Sequence, residues 1–186
     1  DEETKADLLS IKDDEAEIED RFYKGLEFGT AGLRGKLGAG TNRMNKYMVG
    51  KAAQALAETL KDHGEEAVKR GVAISYDVRY KSKEFAELTC SIMAAHGIKT
   101  YIYNGIHPTP MCSYAIRKLH CKAGVMVTAS HNPQEYNGYK AYWEEGSQIL
   151  DDIAGKIAGH MDEIVNFEDI KSIPFEEALE SGLANY

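Results

Sequence analysis

The sequence predicts an α/β fold: three layers, α/β/α, built on a small mixed, mostly parallel four-stranded sheet. Three observations predict it. Short apolar runs at 72–76 ("VAISY"), 98–103 ("IKTYIY") and 123–129 ("AGVMVTA") have the length of buried strands. Stretches of helical period separate them, giving the order β-α-β-α-β-α-β-α after residue 30. Gly64 and Gly97 stand where helices should stop, and Pro110 where one should start. Helical crossovers between parallel strands cover both faces of a sheet.

Each element has its own warrant. Residues 3–22 read as one acidic helix, with Leu8, Ile11, Ile18 and Phe22 at roughly helical spacing. The glycine-dense segment 28–40, "FGTAGLRGKLGAG", reads as a loop feeding a short, irregular strand. From Asn45 to His63, the set Met48, Ala52, Ala55, Leu56, Thr59 and Leu60 marks a helix. Ser82 can cap the next one, whose inward face is Phe85, Leu88, Ile92 and Ala95 or His96. Thr109-Pro110 predicts a helix over 110–120. Ile149, Ile153, Ile157, Met161 and Ile164 predict a last helix over 148–164, weakened by Gly155 and Gly159 at about 1 kcal/mol each against alanine. The chain divides into an N-terminal helix and lead-in (1–30), the layered unit (31–165) and a tail (166–186).

Composition sets limits. The chain has 186 residues, 43% hydrophobic and 28% charged, which predicts one soluble globular domain with a real core. No stretch approaches the roughly 18 apolar residues of a membrane span. Cys90, Cys112 and Cys121 are odd in number and form no CxxC pair, so they read as core filler in a reducing, cytoplasmic setting. The first residue is Asp1 and no signal peptide precedes it, so the chain reads as an excised piece. His63, His96, His107, His120, His131 and His160 show no metal-site spacing, and His63, His96 and His120 suit helix C-termini.

The net charge of −8 is unevenly spread. Residues 1–20 carry ten acids and two bases, and 144–186 carry eleven acids and two bases. The middle, 21–143, carries nine acids against eighteen bases. A basic middle in an acidic protein suits a small anionic ligand better than a nucleic acid.

In α/β sheets ligands bind at the carboxyl ends of the strands. Asp77, the loop 105–109 and Ser130 all fall there. In "GVMVTASHNPQEYNGYKAYW", Ser130 ends a strand, and Asn132-Pro133 keeps the loop after it extended. Lys140 lies far enough along to fold back over that loop. The stretch is either an ordinary tight turn or the display of a nucleophile, with His131 as neighbour. Arg34, among glycines, is either part of a structural turn or a planar fork for phosphate. A Walker A loop is excluded: the spacing from Gly29 to Gly35 is wrong and Leu37 follows Lys36. Asp77-x-Arg79 is either a salt-bridged turn or a brace behind the Ser130 loop.

Together, "TASHNPQEYNGYK" (128–140), "FGTAGLRGKLGAGTNRMN" (28–45), "YDVR" and "HPTP" resemble the α-D-phosphohexomutase superfamily, the phosphoglucomutases and phosphomannomutases. The likeness spans about residues 20–145 and the N-terminal domain I of that family. It implies that Ser130 carries a phosphoryl group, gives it to a hexose phosphate, and takes one back from a bisphosphate intermediate. It implies that His131, Lys140 and Arg34 assist, that Thr30, Asn132, Arg34 and Lys140 bind phosphate or substrate, and that Asp77 and Arg79 stand behind them. It implies Mg²⁺ touching an oxygen on phosphorylated Ser130, and an activator of the glucose 1,6-bisphosphate type. The family's aspartate-rich magnesium loop "DGDxDR" is absent, and Asp151-Asp152 is a poor substitute. The resemblance therefore implies partner domains of the same polypeptide, with 166–186 leading toward domain II. It also implies that these residues alone turn over no substrate.

Two other classes remain for comparison. A non-catalytic α/β anion-binding module would use the same cations without covalent chemistry. A serine hydrolase is disfavoured, because no G-x-S-x-G surrounds Ser130.

Overall fold

The computed structural model describes all 186 residues, and the predicted layers are present. The chain forms α1 (Glu2–Ser10), α2 (Glu15–Phe22), β1 (Leu33–Lys36), α3 (Lys46–Asp62), α4 (Glu65–Arg70), β2 (Val72–Tyr76), α5 (Ser82–Ala95) and β3 (Thr100–Ile102). It continues with α6 (Thr109–Lys118), β4 (Ala123–Val127), β5 (Tyr136–Trp143), α7 (Asp151–Glu163), a 3-10 turn (Phe167–Asp169), α8 (Phe175–Glu180) and β6 (Ala184–Asn185).

The sheet has six strands in the order β1-β5-β4-β2-β3-β6, two more than predicted. β4, β2, β3 and β6 are parallel, and β5 runs antiparallel to both β4 and β1. The added strands are β5 and β6. Lys140 is therefore held in a ladder opposite Met126 and does not fold back from a loop.

One face of the sheet carries the main core, where α3, α5, α7 and α8 meet Leu33, Ile74, Val125, Tyr139 and Trp143 among 36 buried residues. The other face has a small cluster of 7, formed by α6 with Ala73, Met126 and Tyr142. That helix packs on β2 and β4. Cys90, Cys112 and Cys121 are free and buried in these cores. Burial pushes the thiols of Cys90 and Cys112 up to about 12. No helix is long and apolar enough to cross a membrane.

Local chemistry corrects several boundaries. The acidic stretch 3–22 is two helices, because the Asp14 carboxylate accepts from the Glu17 amide and starts a second one. Neither helix buries a residue. Arg21, within α2, ties that helix to α1 through Asp7 (2.8 Å), and Arg43 to Asp20, Lys46 to Asp1 (2.8 Å) and Lys81 to Glu3 (2.9 Å) hold the pair to the body. The acidic terminus thus neutralises part of the basic middle. Ser82 is the first residue of α5 and donates its hydroxyl to Asp77; it caps nothing. Likewise α6 begins at Thr109 with no side-chain cap. The tail packs back, with Ala178 and Ala184 in the main core and β6 extending the sheet beside β3.

α7 crosses α3, and His160 bridges Asp62 (2.8 Å) and Glu163 (3.1 Å). The hydrogen bond to Asp62 raises the imidazole above its usual range. A raised histidine contributes stability that is full below the unfolded value of about 6.5 and is lost as pH rises through the folded value. We expect His160→Gln to lower the melting temperature at about pH 5.5 and to have little effect by about pH 9. Thermal melts across that range check it.

Candidate active site

Strand β4 ends at Val127, and the next residues turn sharply. The Asn132 amide donates to Ala129 O (3.1 Å) and the Tyr136 amide to Pro133 O (3.1 Å). Two consecutive turns therefore replace the extended loop that Asn132-Pro133 predicts. Ser130 sits at the first turn with φ +57°, in the left-handed region that costs a non-glycine residue about 1 kcal/mol. Its side chain is exposed. The hydroxyl lies 3.4 Å from Nδ1 of His131, at the outer edge of hydrogen bonding.

One side chain holds this loop. Arg79 donates Nη1 to the carbonyls of Pro133 (2.8 Å) and Tyr136 (3.0 Å). Its Nη2 donates to those of Ser130 (2.9 Å) and Asn132 (2.6 Å). The Arg79 Nε lies 3.6 Å from Asp77 Oδ2. Asp77-x-Arg79 is thus a salt-bridged turn and also a brace on the Ser130 loop. Asp77 in turn accepts from the Thr128 hydroxyl, and Thr128 Oγ1 accepts from the Ser130 amide (2.9 Å).

The cations come from β1 and β5. Arg34 pairs with Gly138, and Lys140 lies two residues further along the same strand, so both side chains project on the α6 face. Gly138 permits close packing there: a Cβ would lie 2.6 Å from Thr128 O. Arg34 donates to Asn132 Oδ1 (2.9 Å), which joins β1 to the Ser130 loop. Partial burial, and then the charge of Arg34, lower the Lys140 ammonium below its usual range. Neither Arg34 nor Lys140 has a carboxylate in ion-pair contact. Thr30 is exposed at a turn closed by the Gly29 and Gly32 backbones, and its side chain has no hydrogen bond. Gly32 rests against β5, since a Cβ there would fall 1.9 Å from Tyr139 O.

A cleft of about 470 Å³ opens beside the loop, lined by Asp77, Arg79, Tyr80, Ser130, Asn132 and Gln134. Of the predicted residues, Ser130, Asn132, Asp77 and Arg79 line it together, and Arg34 is tied to it through Asn132. Lys140 stands behind, near Arg34. His131 is exposed beside Ser130. Thr128 is the residue that sequence reasoning passed over; its quoted place two residues before Ser130 was the available signal.

A family profile described as phosphoglucomutase/phosphomannomutase, alpha/beta/alpha domain I, matches residues 25–167. The chain belongs to that family. The region matched includes every candidate site residue named above and excludes α1 and α2. A Staphylococcus epidermidis phosphoglucomutase is 44% identical over 139 residues, 75% of this chain and 25% of that one. A Schizosaccharomyces pombe protein assigned as a phosphoribomutase is 41% identical over 152 residues, 81% of this chain and 26% of that one. The crystal structure of a Thermus thermophilus protein assigned as a phosphomannomutase superposes with a TM-score of 0.66 at 30% identity, covering 74% of this chain and 30% of that one. The chain spans about a quarter of the length of the curated relatives it matches.

Magnesium keeps several waters and takes one or two carboxylates together with phosphate oxygens. Both oxygens of Asp77 are engaged, and no group of three histidine, cysteine, aspartate or glutamate side chains is placed to hold a metal.

The Arg79 clamp gives a prediction. Arg79→Lys keeps the charge and loses the planar fork. We expect the fold to persist and backbone amides of residues 130–136 to exchange about tenfold faster. Hydrogen exchange read by mass spectrometry checks it.

Proposed function

We propose that the chain is the phosphoserine-bearing domain of a phosphohexomutase that interconverts hexose 1-phosphate and hexose 6-phosphate. The observation that carries this reading is the pairing of an exposed hydroxyl, held in left-handed backbone, with two nearby cations that have no carboxylate partner. Such cations suit a phosphoryl group, whose transfer depends on positioning and charge neutralisation.

In the forward half-reaction a sugar hydroxyl attacks the phosphorus on Ser130. The bond from phosphorus to the serine oxygen breaks, and one to the sugar oxygen forms. The sugar hydroxyl loses its proton and Oγ gains one, with His131 the group within reach of Oγ. The return step reverses this from the other phosphate of the bisphosphate. Arg34 and Lys140 stabilise the transferring charge, Asn132 orients Arg34, and Asp77 and Arg79 hold the loop. Thr30, at the neighbouring turn, contacts the sugar phosphate. If the longer protein uses a divalent cation, its carboxylates come from outside these residues. The remaining domains close the site, and a sugar bisphosphate primes Ser130.

Three experiments test this on the longer protein. Ser130→Ala should abolish turnover, because a covalent carrier has no substitute; undiminished turnover would leave the anion-binding module instead. Intact-mass measurement after incubation with hexose 1,6-bisphosphate should show one added phosphoryl group that maps to Ser130. Lys140→Met should lower kcat about a hundredfold while KM changes less.

A further inference from the structure

Ser130 keeps an unfavourable backbone geometry, and the residues that hold it extend well behind the cleft. Asn137 on β5 is fully buried, and Nδ2 donates to Tyr80 O (2.8 Å) and to Ser82 Oγ (3.0 Å). Its Oδ1 accepts from the Gly138 amide (2.7 Å), which fixes the amide plane. Ser82, also fully buried, has one hydroxyl hydrogen and gives it to Asp77 Oδ1 (2.9 Å). The second Asp77 oxygen takes the hydrogen of the Thr128 hydroxyl. With that hydrogen committed, Thr128 Oγ1 can only accept from the Ser130 amide, which it does at 2.9 Å.

We propose that Asn137 and Ser82 are positioning residues for Ser130, acting through Asp77 and Thr128. Their direction is forced at each link. Asp77 is an acceptor on both oxygens, so two hydroxyls must point at it. Each hydroxyl then has lone pairs only for the next donor: Asn137 on one side, the Ser130 amide on the other. The chain joins β5, the start of α5, the end of β2 and the end of β4, so an error in any one is transmitted to the nucleophile's backbone. Neither residue touches the cleft that Ser130 lines.

This inference rests on the mutase reading for its consequence, and the relay itself can be measured separately. Asn137→Asp places a carboxylate against two acceptors and can fail to fold, so Ser82→Ala, which removes one hydroxyl, is the working variant. In the 186-residue chain, Ser82→Ala should speed exchange of the Ser130 amide about tenfold while the Val125 amide in β4 keeps its protection. In the longer protein the same change should lower kcat about tenfold with KM within about twofold, and Ser82→Thr should restore both. An unchanged Ser130 amide overturns the proposal. So does a faster amide with kcat intact, since Ser82 would then be merely structural. If the unaltered longer protein shows neither turnover nor a phosphoryl group on Ser130, the mutase reading fails, and the exchange measurement alone judges the relay.

Discussion

The guanidinium of Arg79, set against four backbone carbonyls of one loop, is the interaction on which the site depends. Carbonyls in a tight turn have no ladder to join and must find donors. A charged donor contributes about 1.5–3 kcal/mol per hydrogen bond, more than a neutral one. Here one planar group collects acceptors from residues 130, 132, 133 and 136, so the whole turn moves as a unit. That rigidity is what allows Ser130 to stay at φ +57°. A left-handed serine in a loose loop would relax; in a clamped one it stays exposed, with its hydroxyl facing the cleft.

Charge placement follows the same logic. The acidic N-terminus could have paired with any of the eighteen bases of the middle segment. It pairs with Arg43, Lys46 and Lys81, which fasten α1 and α2 to the body, while Arg21 joins the two helices to each other. Arg34 and Lys140 are left without carboxylates. Partial burial, and then the charge of Arg34, lower the Lys140 ammonium. Two close cations on a partly covered sheet face are unfavourable in the free domain. A bound phosphate would offset that repulsion.

The sequence was informative where a residue's role follows from its own neighbours. α3 shows helical period, an Asn45 cap and a glycine stop; β2 and β4 are apolar runs buried on both sides. It was silent where a role depends on a distant strand. β5 hides because Tyr139 fills the main core, Tyr142 the small one, and Gly138 sits under the carbonyls of Thr128 and Leu33, which erases any alternation. β6 is two residues long and exists only because β3 offers an edge. The break at Asp14 was legible, since aspartate followed three residues later by Glu17 is a capping signal, and the apolar spacing of 8, 11, 18 and 22 concealed it. Ser82 fitted a local capping rule, and a partly buried carboxylate five residues earlier claimed its hydroxyl. The hydroxyl and cations of the site could be named from residue type. Of their supports, Thr128 had only its place two residues before Ser130 as a signal, and Asn137 had none, because its partner Tyr80 lies 57 residues away.

The uneven covering of the sheet explains how such a site can serve a two-step transfer. α6 packs on β2 and β4, while β1 and β5, which bear Arg34 and Lys140, lie to one side of it. A fully closed cleft would bind one orientation of a sugar phosphate and trap it. In the proposed reaction, the intermediate must present first one phosphate and then the other to the same serine. The half that cannot move is the nucleophile and its charges, and these are built on paired strands and a clamped turn. A rigid, one-sided cradle is therefore what this chain should provide, and the fixed loop, the unpaired cations and the uncovered face are its three parts.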